Sequence, residues 1–124
     1  MNLVRFDRIR KSFGEKLVLD DLSLCVDGGE VYGLLGPNGC GKSTAINVLC
    51  NLLDPDAGTV RIAGKAVSGG AKGLVGICPQ DIALYRDLHP AENLHFFAQI
   101  YGLPRAARER RVSELMQLFG LERF

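Results

Sequence analysis

The feature that most constrains this chain is a glycine-rich loop, Gly36-Pro37-Asn38-Gly39-Cys40-Gly41-Lys42-Ser43-Thr44. Every fixed position fits the pattern G-x-x-x-x-G-K-[ST], in which successive backbone N–H groups turn inward around a phosphate. The glycines permit backbone angles that a β-carbon forbids. An apolar run precedes the loop and a helical pattern follows it, which argues against a chance match in a glycine-rich chain. The loop therefore predicts an α/β fold that binds a phosphate group.

Each polar residue of this loop suits one task in nucleotide binding. The helix that follows points the positive end of its dipole at the anion. Lys42 adds a full charge for the β- and γ-phosphates, Ser43 offers a hydroxyl to Mg²⁺, and Thr44 can donate to the α-phosphate. Cys40 has two interpretations, which are a redox or alkylation switch at a helix N-terminus and a small residue tolerated at a variable position. The motif favours the second, because nothing in it requires sulfur.

Composition and charge indicate a single globular domain without a global preference for anions. The chain has 124 residues and a formal net charge of +1, so no overall field would draw it to nucleic acid or an anionic membrane. No apolar run approaches the roughly 20 residues that span a bilayer, and the charged N-terminus does not resemble a secretory signal. The four cysteines form no C-x-x-C pair, which predicts free thiols in a reducing cytosol. A membrane role would then require a partner.

Three strands are predicted in the first part of the chain. Residues 3–10 mix apolar and charged residues as a half-buried strand does, and residues 11–14 follow as a turn. Residues 17–26 form a second apolar-rich strand, closed by the turn at 27–29. Residues 31–35 are almost wholly apolar, which is typical of a strand buried on both faces of a parallel sheet.

A helix is predicted after the glycine-rich loop, because apolar residues follow at helical spacing. These residues are Ile46, Leu49, Cys50 and Leu53. Residues 54–58 end the helix. Residues 59–63 and 74–78 are further short strands, separated by a turn at 68–70.

The last part of the chain is predicted to be helical. One helix starts at Pro90 with Leu94, Phe97 and Tyr101 on one face, and a second starts at Pro104. The apolar stripe of the second helix comprises Val112, Leu115, Met116 and Phe119, and Gly120 stands where a C-terminal cap is expected. Four arginines interleave with Glu109, which favours a solvated helix face over a nucleic-acid or headgroup contact; they are Arg105, Arg108, Arg110 and Arg111.

Along essentially its whole length, the chain resembles the N-terminal half of an ABC-type ATPase. Residues 19–36 resemble the family's approach to its phosphate loop, and residues 56–60 its strand after the first helix. Residues 78–81, Cys78-Pro79-Gln80-Asp81, resemble its Q-loop, and residues 88–102 resemble drug-exporter members. The resemblance implies an incomplete P-loop NTPase core of the α/β class, with antiparallel N-terminal strands and the start of a helical subdomain. We expect the core to occupy residues 1–88 and the helical subdomain to begin within 89–124.

Two further site residues follow from the resemblance. Phe13 falls where the family places an aromatic that stacks on adenine; the alternative is a phenylalanine that covers the edge of the sheet. Gln80 falls where the family's glutamine reaches Mg²⁺ and the attacking water and senses the membrane partner; without the resemblance it would be a polar loop residue. The resemblance thus assigns Lys42 and Gln80 to catalysis, and Ser43 and Gln80 to the metal.

The family's signature motif, Walker B aspartate, catalytic glutamate and switch histidine fall outside these 124 residues. Neither His89 nor His95 replaces that histidine. We therefore expect ATP and Mg²⁺ binding, with negligible hydrolysis by these residues alone. The resemblance implies a transmembrane permease and a second ABC ATP-binding domain as partners, no nucleic acid, a peripheral location at the inner face of the cell membrane, and export.

Two other functions stay open. The first is a truncated nucleotide-binding module or remnant without turnover. The second is another P-loop NTPase, such as a GTPase or kinase, which does not explain Phe13, residues 78–80 and residues 88–102 together. We also expect the apolar run at 31–35 to lie bare and to promote self-association.

Overall fold

The computed structural model describes residues 2–124, which divide into two compact units. The first unit ends at Ile77 and the second extends from Cys78 to Phe124. Among the described residues, no helix is long and apolar enough to cross a membrane. The predicted division at residue 88 stays a prediction.

The first unit contains a four-stranded antiparallel sheet in the order β2-β1-β3-β4. The strands are β1 (Asn2–Phe13), β2 (Lys16–Asp27), β3 (Ala57–Ile62) and β4 (Lys65–Ala66). This confirms the predicted antiparallel N-terminal strands. The turn predicted at 11–14 was wrong, because pairing with β2 continues as far as Phe13 and the chain reverses at Gly14 and Glu15. Gly14 has φ +59°, a value that glycine adopts without strain.

A bulge in β1 explains how residues three apart reach the same core. Phe6 and Ile9 are both buried, although side chains of a regular strand alternate between faces every second residue. The pairing with β2 shifts between these two positions, where Arg8 has φ +50° and donates its N–H to Ser23 Oγ at 2.9 Å. The extra residue returns Ile9 to the face of Phe6.

One helix, α1 (Lys42–Leu49), packs on the sheet and completes the core of the first unit. It contributes Ala45 and Val48, which join Phe6, Ile9, Leu19, Val60, Ile62, Val67 and Ala71. The predicted face of the helix was partly wrong, because Ile46 is 40% exposed whereas Val48 is fully buried. The helix also ends at Leu49 rather than near residue 53, and Asn51 then turns the chain with φ +54°.

Two predicted strands do not form. Residues 31–35 have no strand structure, and Val31 and Leu35 are 98% and 95% exposed. Residues 71–74 form a short 3₁₀ helix, Ala71–Leu74, and no strand follows it up to residue 78. A strand needs a hydrogen-bonded neighbour, and no described segment of this chain pairs with either run. The apolar run at 31–35 is therefore bare, as expected from the sequence.

The second unit contains two helices, α2 (Pro90–Ile100) and α3 (Arg105–Leu118), followed by the short 3₁₀ helix Leu121–Arg123. Both predicted helix starts are confirmed, and Gly120 has φ +63° after the end of α3 as expected of a cap. In the predicted stripe of α3, Val112 is buried and Leu115 and Met116 are half-buried. Phe119 is 66% exposed, so its assignment to that stripe was wrong.

The arginines of α3 divide between two environments. Arg105, Arg110 and Arg111 lie in ion pairs with Glu109 or Glu114 at 3.1–4.0 Å on a solvated face, as predicted. Arg108 is an exception, because it lies one turn before Val112 and its Nε is buried without a hydrogen-bond partner. The prediction that all four arginines face away from the apolar stripe was wrong for Arg108, since residues four apart share one side of a helix.

Candidate phosphate-binding site

The glycine-rich loop is held in place by the helix that follows it. Gly41 is the N-cap residue of α1 and has φ +99°. A β-carbon at this position would lie 2.8 Å from Leu19 Cδ2 and 3.0 Å from the carbonyl oxygen of Val18. Gly41 is therefore required both by its backbone angle and by the close approach of β2. Burial of Ala45 and Val48 fixes the helix behind it, so the end of the loop is anchored to the sheet.

The N-terminus of α1 is suited to an anion. The first helical hydrogen bond is donated by the N–H of Ala45 to the carbonyl of Gly41, at 2.9 Å. The N–H groups of residues 42–44 therefore have no partner within the helix. Gly41 provides no side-chain cap, and the first turn contains no acidic residue. These donors and the positive end of the helix dipole remain available for a phosphate.

Lys42 folds back over its own loop. Its Nζ donates to the carbonyl oxygens of Gly36 and Pro37 at 2.7 and 2.8 Å, and lies 3.8 Å from Cys40 Sγ. An ammonium group has three donors and prefers anionic acceptors, so phosphate oxygens at the loop would be stronger partners than these carbonyls. The positive charge of Lys42 is thus held at the predicted phosphate-binding loop.

Cys40 lies close to two other residues of the loop, Pro37 and Gly36. Its N–H donates to the carbonyl of Pro37 at 3.3 Å, and its Sγ lies so close to Gly36 that a β-carbon there would be only 2.6 Å away. A side chain at position 36 would therefore require the thiol of Cys40 to move. The four cysteines, all among the described residues, are unpaired. The role of Cys40 as a switch stays a prediction.

The two hydroxyl residues of the loop differ in exposure. Ser43 is exposed at the start of α1, whereas Thr44 is half-buried. Within residues 2–124, no group of three or more His, Cys, Asp and Glu side chains could hold a metal ion. The exposed hydroxyl of Ser43 is an oxygen donor of the kind that suits Mg²⁺ when few protein ligands combine with phosphate oxygens and water. The assignment of Ser43 to the metal stays a prediction.

Phe13 lies in the same unit, at the end of β1, and is 51% exposed. The ammonium of Lys11 lies 5.8 Å from the centroid of its ring. Lys11 in turn forms an ion pair with Asp56, with Nζ 2.9 Å from Oδ1. The other carboxylate oxygen of Asp56 accepts the N–H of Ser12 at 2.6 Å. The hydrogen bond from Lys11, followed by that from Ser12, lowers the pKa of Asp56.

Asp56 was missed at the sequence level as a contributor to this region. It lies more than 40 residues from Lys11 and Ser12 in the chain, and only the pairing of β1 with β3 brings them together. A local motif therefore has no signal for it.

Gln80 lies in the second unit and is exposed. It stands in an irregular, exposed segment that extends from residue 76 to residue 89. The assignment of Gln80 to Mg²⁺ and the attacking water stays a prediction.

The end of this segment is organised by Asn93, a buried residue of α2. Its Oδ1 accepts the N–H of Tyr85 at 2.9 Å, and its Nδ2 donates to the carbonyl oxygens of Tyr85 and Leu88 at 3.0 and 3.1 Å. The ring of Tyr85 lies edge-on to Phe96, with centroids 4.8 Å apart. The sequence pattern did not indicate this role for Asn93, because the spacing of polar and apolar residues does not distinguish a buried asparagine from an exposed one.

Both histidines have structural partners. The Nδ1 of His89 accepts the N–H of Ala91 at 3.3 Å, while Glu92 Oε2 accepts the N–H of His89 at 2.7 Å, which caps the start of α2. His95 Nε2 lies 3.8 Å from Glu109 Oε2, between α2 and α3. His89 thus caps a helix and His95 lies between two helices, which are structural positions.

Comparison with known proteins identifies the type of domain. A family model described as ABC transporter matches residues 19–124, which is most of the chain. The linearmycin resistance ATP-binding protein LnrL of Bacillus subtilis is 37% identical over 122 residues, covering 96% of this chain and 39% of that protein. The Nod factor export ATP-binding protein I of Paraburkholderia xenovorans is 40% identical over 122 residues, covering 96% and 40%. The chain therefore spans about two fifths of the length of these relatives.

Solved structures confirm the fold. A structure described as the ATP binding subunit of an ABC transporter is 34% identical, with a TM-score of 0.83 over 98% of this chain and 52% of that chain. The structure of cbiO1 from Clostridium perfringens, part of the ABC transporter complex cbiONQ, has a TM-score of 0.81 at 23% identity, over 98% and 52%. The antiparallel sheet, α1 and the helices of the second unit thus belong to an incomplete ABC ATPase domain of the α/β class.

Proposed function

Since this chain belongs to the ABC transporter family, we propose that it binds ATP with Mg²⁺ at residues 36–44. One observation carries the proposal. The N-terminus of α1 presents N–H groups with neither a side-chain cap nor an acidic neighbour, and Lys42 Nζ lies 2.7 and 2.8 Å from carbonyls of the same loop. This arrangement concentrates positive charge and hydrogen-bond donors at one point, as a polyphosphate requires.

The residues of the loop would divide the work of binding. The N–H groups of residues 42–44 receive phosphate oxygens, because helix formation leaves them without partners. Lys42 exchanges its carbonyl acceptors for the β- and γ-phosphates, and Ser43 provides one hydroxyl to the metal. Mg²⁺, when bound with the nucleotide, would offset the negative charge of the phosphates. Phe13 provides one face of its ring for the adenine base, and Gln80 orients the metal and the attacking water.

The proposal extends to the protein in which this domain acts. Because the chain spans about two fifths of its relatives, the carboxylates that complete catalysis would come from residues outside these 124. We propose that ATP binding and hydrolysis in the whole protein drive transport through a transmembrane permease, together with a second ABC ATP-binding domain. This places the domain at the inner face of the cell membrane. The name of one relative, the Nod factor export ATP-binding protein I, favours export.

Binding of Mg-ATP to the chain, measured by isothermal titration calorimetry, tests the site. We expect Lys42→Ala to weaken binding about 10- to 100-fold, because a charge-assisted hydrogen bond contributes about 1.5–3 kcal/mol. Lys65→Ala is the matched control, since Lys65 is an exposed lysine in β4, at the opposite edge of the sheet from β2, and should leave the affinity unchanged. Equal affinity in the wild type and Lys42→Ala would refute the assignment.

Phosphate release by the same chain tests whether binding occurs without turnover. We expect no release above background, because the loop and Gln80 lack the family's catalytic carboxylate. Turnover that is present in the wild type and lost in Lys42→Ala would contradict this part of the proposal.

A further inference from the structure

We propose that Asp56 is a positioning residue for the adenine base, acting through Lys11 and Ser12 to orient Phe13. This inference rests on the proposed ATP site. Asp56 itself would touch no part of the nucleotide. Its contribution is to fix the end of β1, from which the ring of Phe13 extends into solvent.

The Asp56 carboxylate holds two consecutive residues of β1 at once. Oδ1 pairs with the ammonium of Lys11 at 2.9 Å, and Oδ2 accepts the backbone N–H of Ser12 at 2.6 Å. The N–H of Asp56 donates to the carbonyl of Arg10 at 2.8 Å. Residues 10, 11 and 12 are thus each bound to Asp56. The end of β1, which pairs with β2 as far as Phe13, is held in addition at three points by Asp56.

The position of Asp56 is itself fixed by the pairing of β1 with β3. Gly58 has φ +88°, and a β-carbon there would run into the carbonyl oxygens of Asp7 and Arg8. This close approach leaves little freedom for β3 to slide along β1 at the bulge. Asp56 lies two residues before Gly58. The pairing of β3 with β1, rather than a flexible loop, therefore places its carboxylate next to Lys11 and Ser12.

Lys11 connects Asp56 to the aromatic ring of Phe13. Its side chain is only 14% exposed, although lysine is usually solvated, and its Nζ lies 5.8 Å from the centroid of Phe13. That distance is within the range of a cation–π contact. The ammonium occupies one face of the ring, and the 51% exposure of Phe13 leaves surface for a stacked base. Loss of Asp56 would free Lys11 and allow the ring to adopt other rotamers.

This arrangement predicts an effect on the base and none on the phosphates. The experiment compares the affinities of the chain for Mg-ATP and for magnesium tripolyphosphate, which lacks the base, by isothermal titration calorimetry. The variants are Asp56→Asn, Lys11→Met, Phe13→Ala, the double variant of Asp56 and Phe13, and Lys42→Ala. Asp20→Asn is the matched control, because Asp20 forms an ion pair with Arg10 at 2.8 Å in the same sheet.

We expect Phe13→Ala to weaken Mg-ATP binding about 10-fold, since stacking on an aromatic ring is the main contact with the base. Asp56→Asn and Lys11→Met should each weaken it about three- to fivefold, and Asp56→Asn should add nothing to Phe13→Ala. The affinity for tripolyphosphate should stay within about twofold in Phe13→Ala, Asp56→Asn and Lys11→Met, whereas Lys42→Ala should lose it. Asp20→Asn should change the affinity for neither ligand.

The outcomes separate this inference from the proposed site. An equal loss for both ligands in Asp56→Asn, no loss for Mg-ATP, or additive losses with Phe13→Ala would overturn the positioning role. Unchanged ATP affinity in Phe13→Ala would overturn it too, while loss of tripolyphosphate binding in Lys42→Ala would keep the phosphate site. A wild-type chain that binds neither ligand would reject the proposed function and this inference together.

Discussion

Gly58 marks the closest approach of β3 to β1, and its neighbours leave no room for a side chain. The backbone there has φ +88°, and the carbonyl of Arg8 stands where a β-carbon would lie. Arg8 itself has φ +50° at the bulge that brings Phe6 and Ile9 to one core. A glycine within a strand is a known indication of a bulge or close approach. The sequence pattern, however, placed Gly58 in the segment that ends the preceding helix, whereas the structure includes it in β3. Only the structure identifies Arg8 as its partner, because the contact joins residues 50 positions apart.

We expect Gly58→Ala to destabilise the chain by about 2 kcal/mol or more, because the alanine would combine a left-handed backbone with a clash against β1. Urea unfolding followed by circular dichroism measures the loss. Gly64→Ala is a matched control, since Gly64 also has positive φ (+79°) but nothing lies within 4 Å of its added β-carbon. An equal loss in both variants would mean that the backbone angle, and not the contact with Arg8, determines the cost.

The pH dependence of stability should report the Asp56 contacts. The hydrogen bonds from Lys11 and Ser12 lower the pKa of Asp56 below its usual 3.8. A group whose pKa is lower in the folded state stabilises that state above the usual pKa, and this contribution is lost as the pH falls. We therefore expect the Tm difference between wild type and Asp56→Asn to be constant near neutral pH and to shrink below pH 3.8. A difference that persists unchanged into strong acid would show that ionisation of Asp56 is not involved.

At the scale of elements, prediction succeeded where a local pattern and local pairing agree. The strands β1 and β2 form a hairpin, so neighbouring residues supply the hydrogen bonds that their patterns require. The run at 31–35 has an equally apolar pattern but no described neighbour to pair with, and it forms no strand. The strand prediction for 31–35 was therefore wrong for the described residues, because an apolar pattern cannot supply a pairing partner. The glycine-rich loop at 36–44 is open to prediction from a local motif for the opposite reason, because its hydrogen bonds join residues at most six positions apart.

The helix α1 shows how packing selects one of two plausible faces. The sequence suggested Ile46, Leu49, Cys50 and Leu53, whereas the structure buries Ala45 and Val48 most completely. Ala45 is small enough to bring the helix close to the sheet, and such an alanine is a weak signal in an apolar pattern. Burial of this face determines which way the N-terminus of the helix points, and therefore where the phosphate loop opens.

Substitutions on the two faces of α1 test this orientation. We expect Val48→Ala to reduce the free energy of unfolding by about 2 kcal/mol, because two fully buried methyl groups are removed and a cavity remains. Ile46→Ala removes more atoms but from a side chain that is 40% exposed, so its cost should be below about 1 kcal/mol. Urea denaturation compares the two directly. The reverse order would support the face that the sequence suggested.

At the scale of the whole molecule, the apolar run at 31–35 is the main segment whose sequence predicts burial but which the structure leaves exposed. Val31 and Leu35 are almost fully exposed on either side of Tyr32, which is 47% exposed. Their backbone also lacks the hydrogen bonds of a strand within the part of the chain that the structure describes. Segments with high apolar content and unpaired backbone groups are those through which chains associate. The apolar sequence at 31–35 that predicts a buried strand thus also predicts self-association when the segment has no strand to pair with.

We expect the 124-residue chain to self-associate, with a mass by light scattering that exceeds 13.5 kDa and rises with concentration. Replacing Val31 and Leu35 together with lysine should move the mass towards 13.5 kDa, because two charges oppose the association of this segment. Leu52→Lys is a control for charge alone, since Leu52 is also exposed but lies outside residues 31–35. If the wild type is a monomer at every concentration, the exposed run is not adhesive. If Leu52→Lys is as effective as the double replacement, net charge and not this segment controls association.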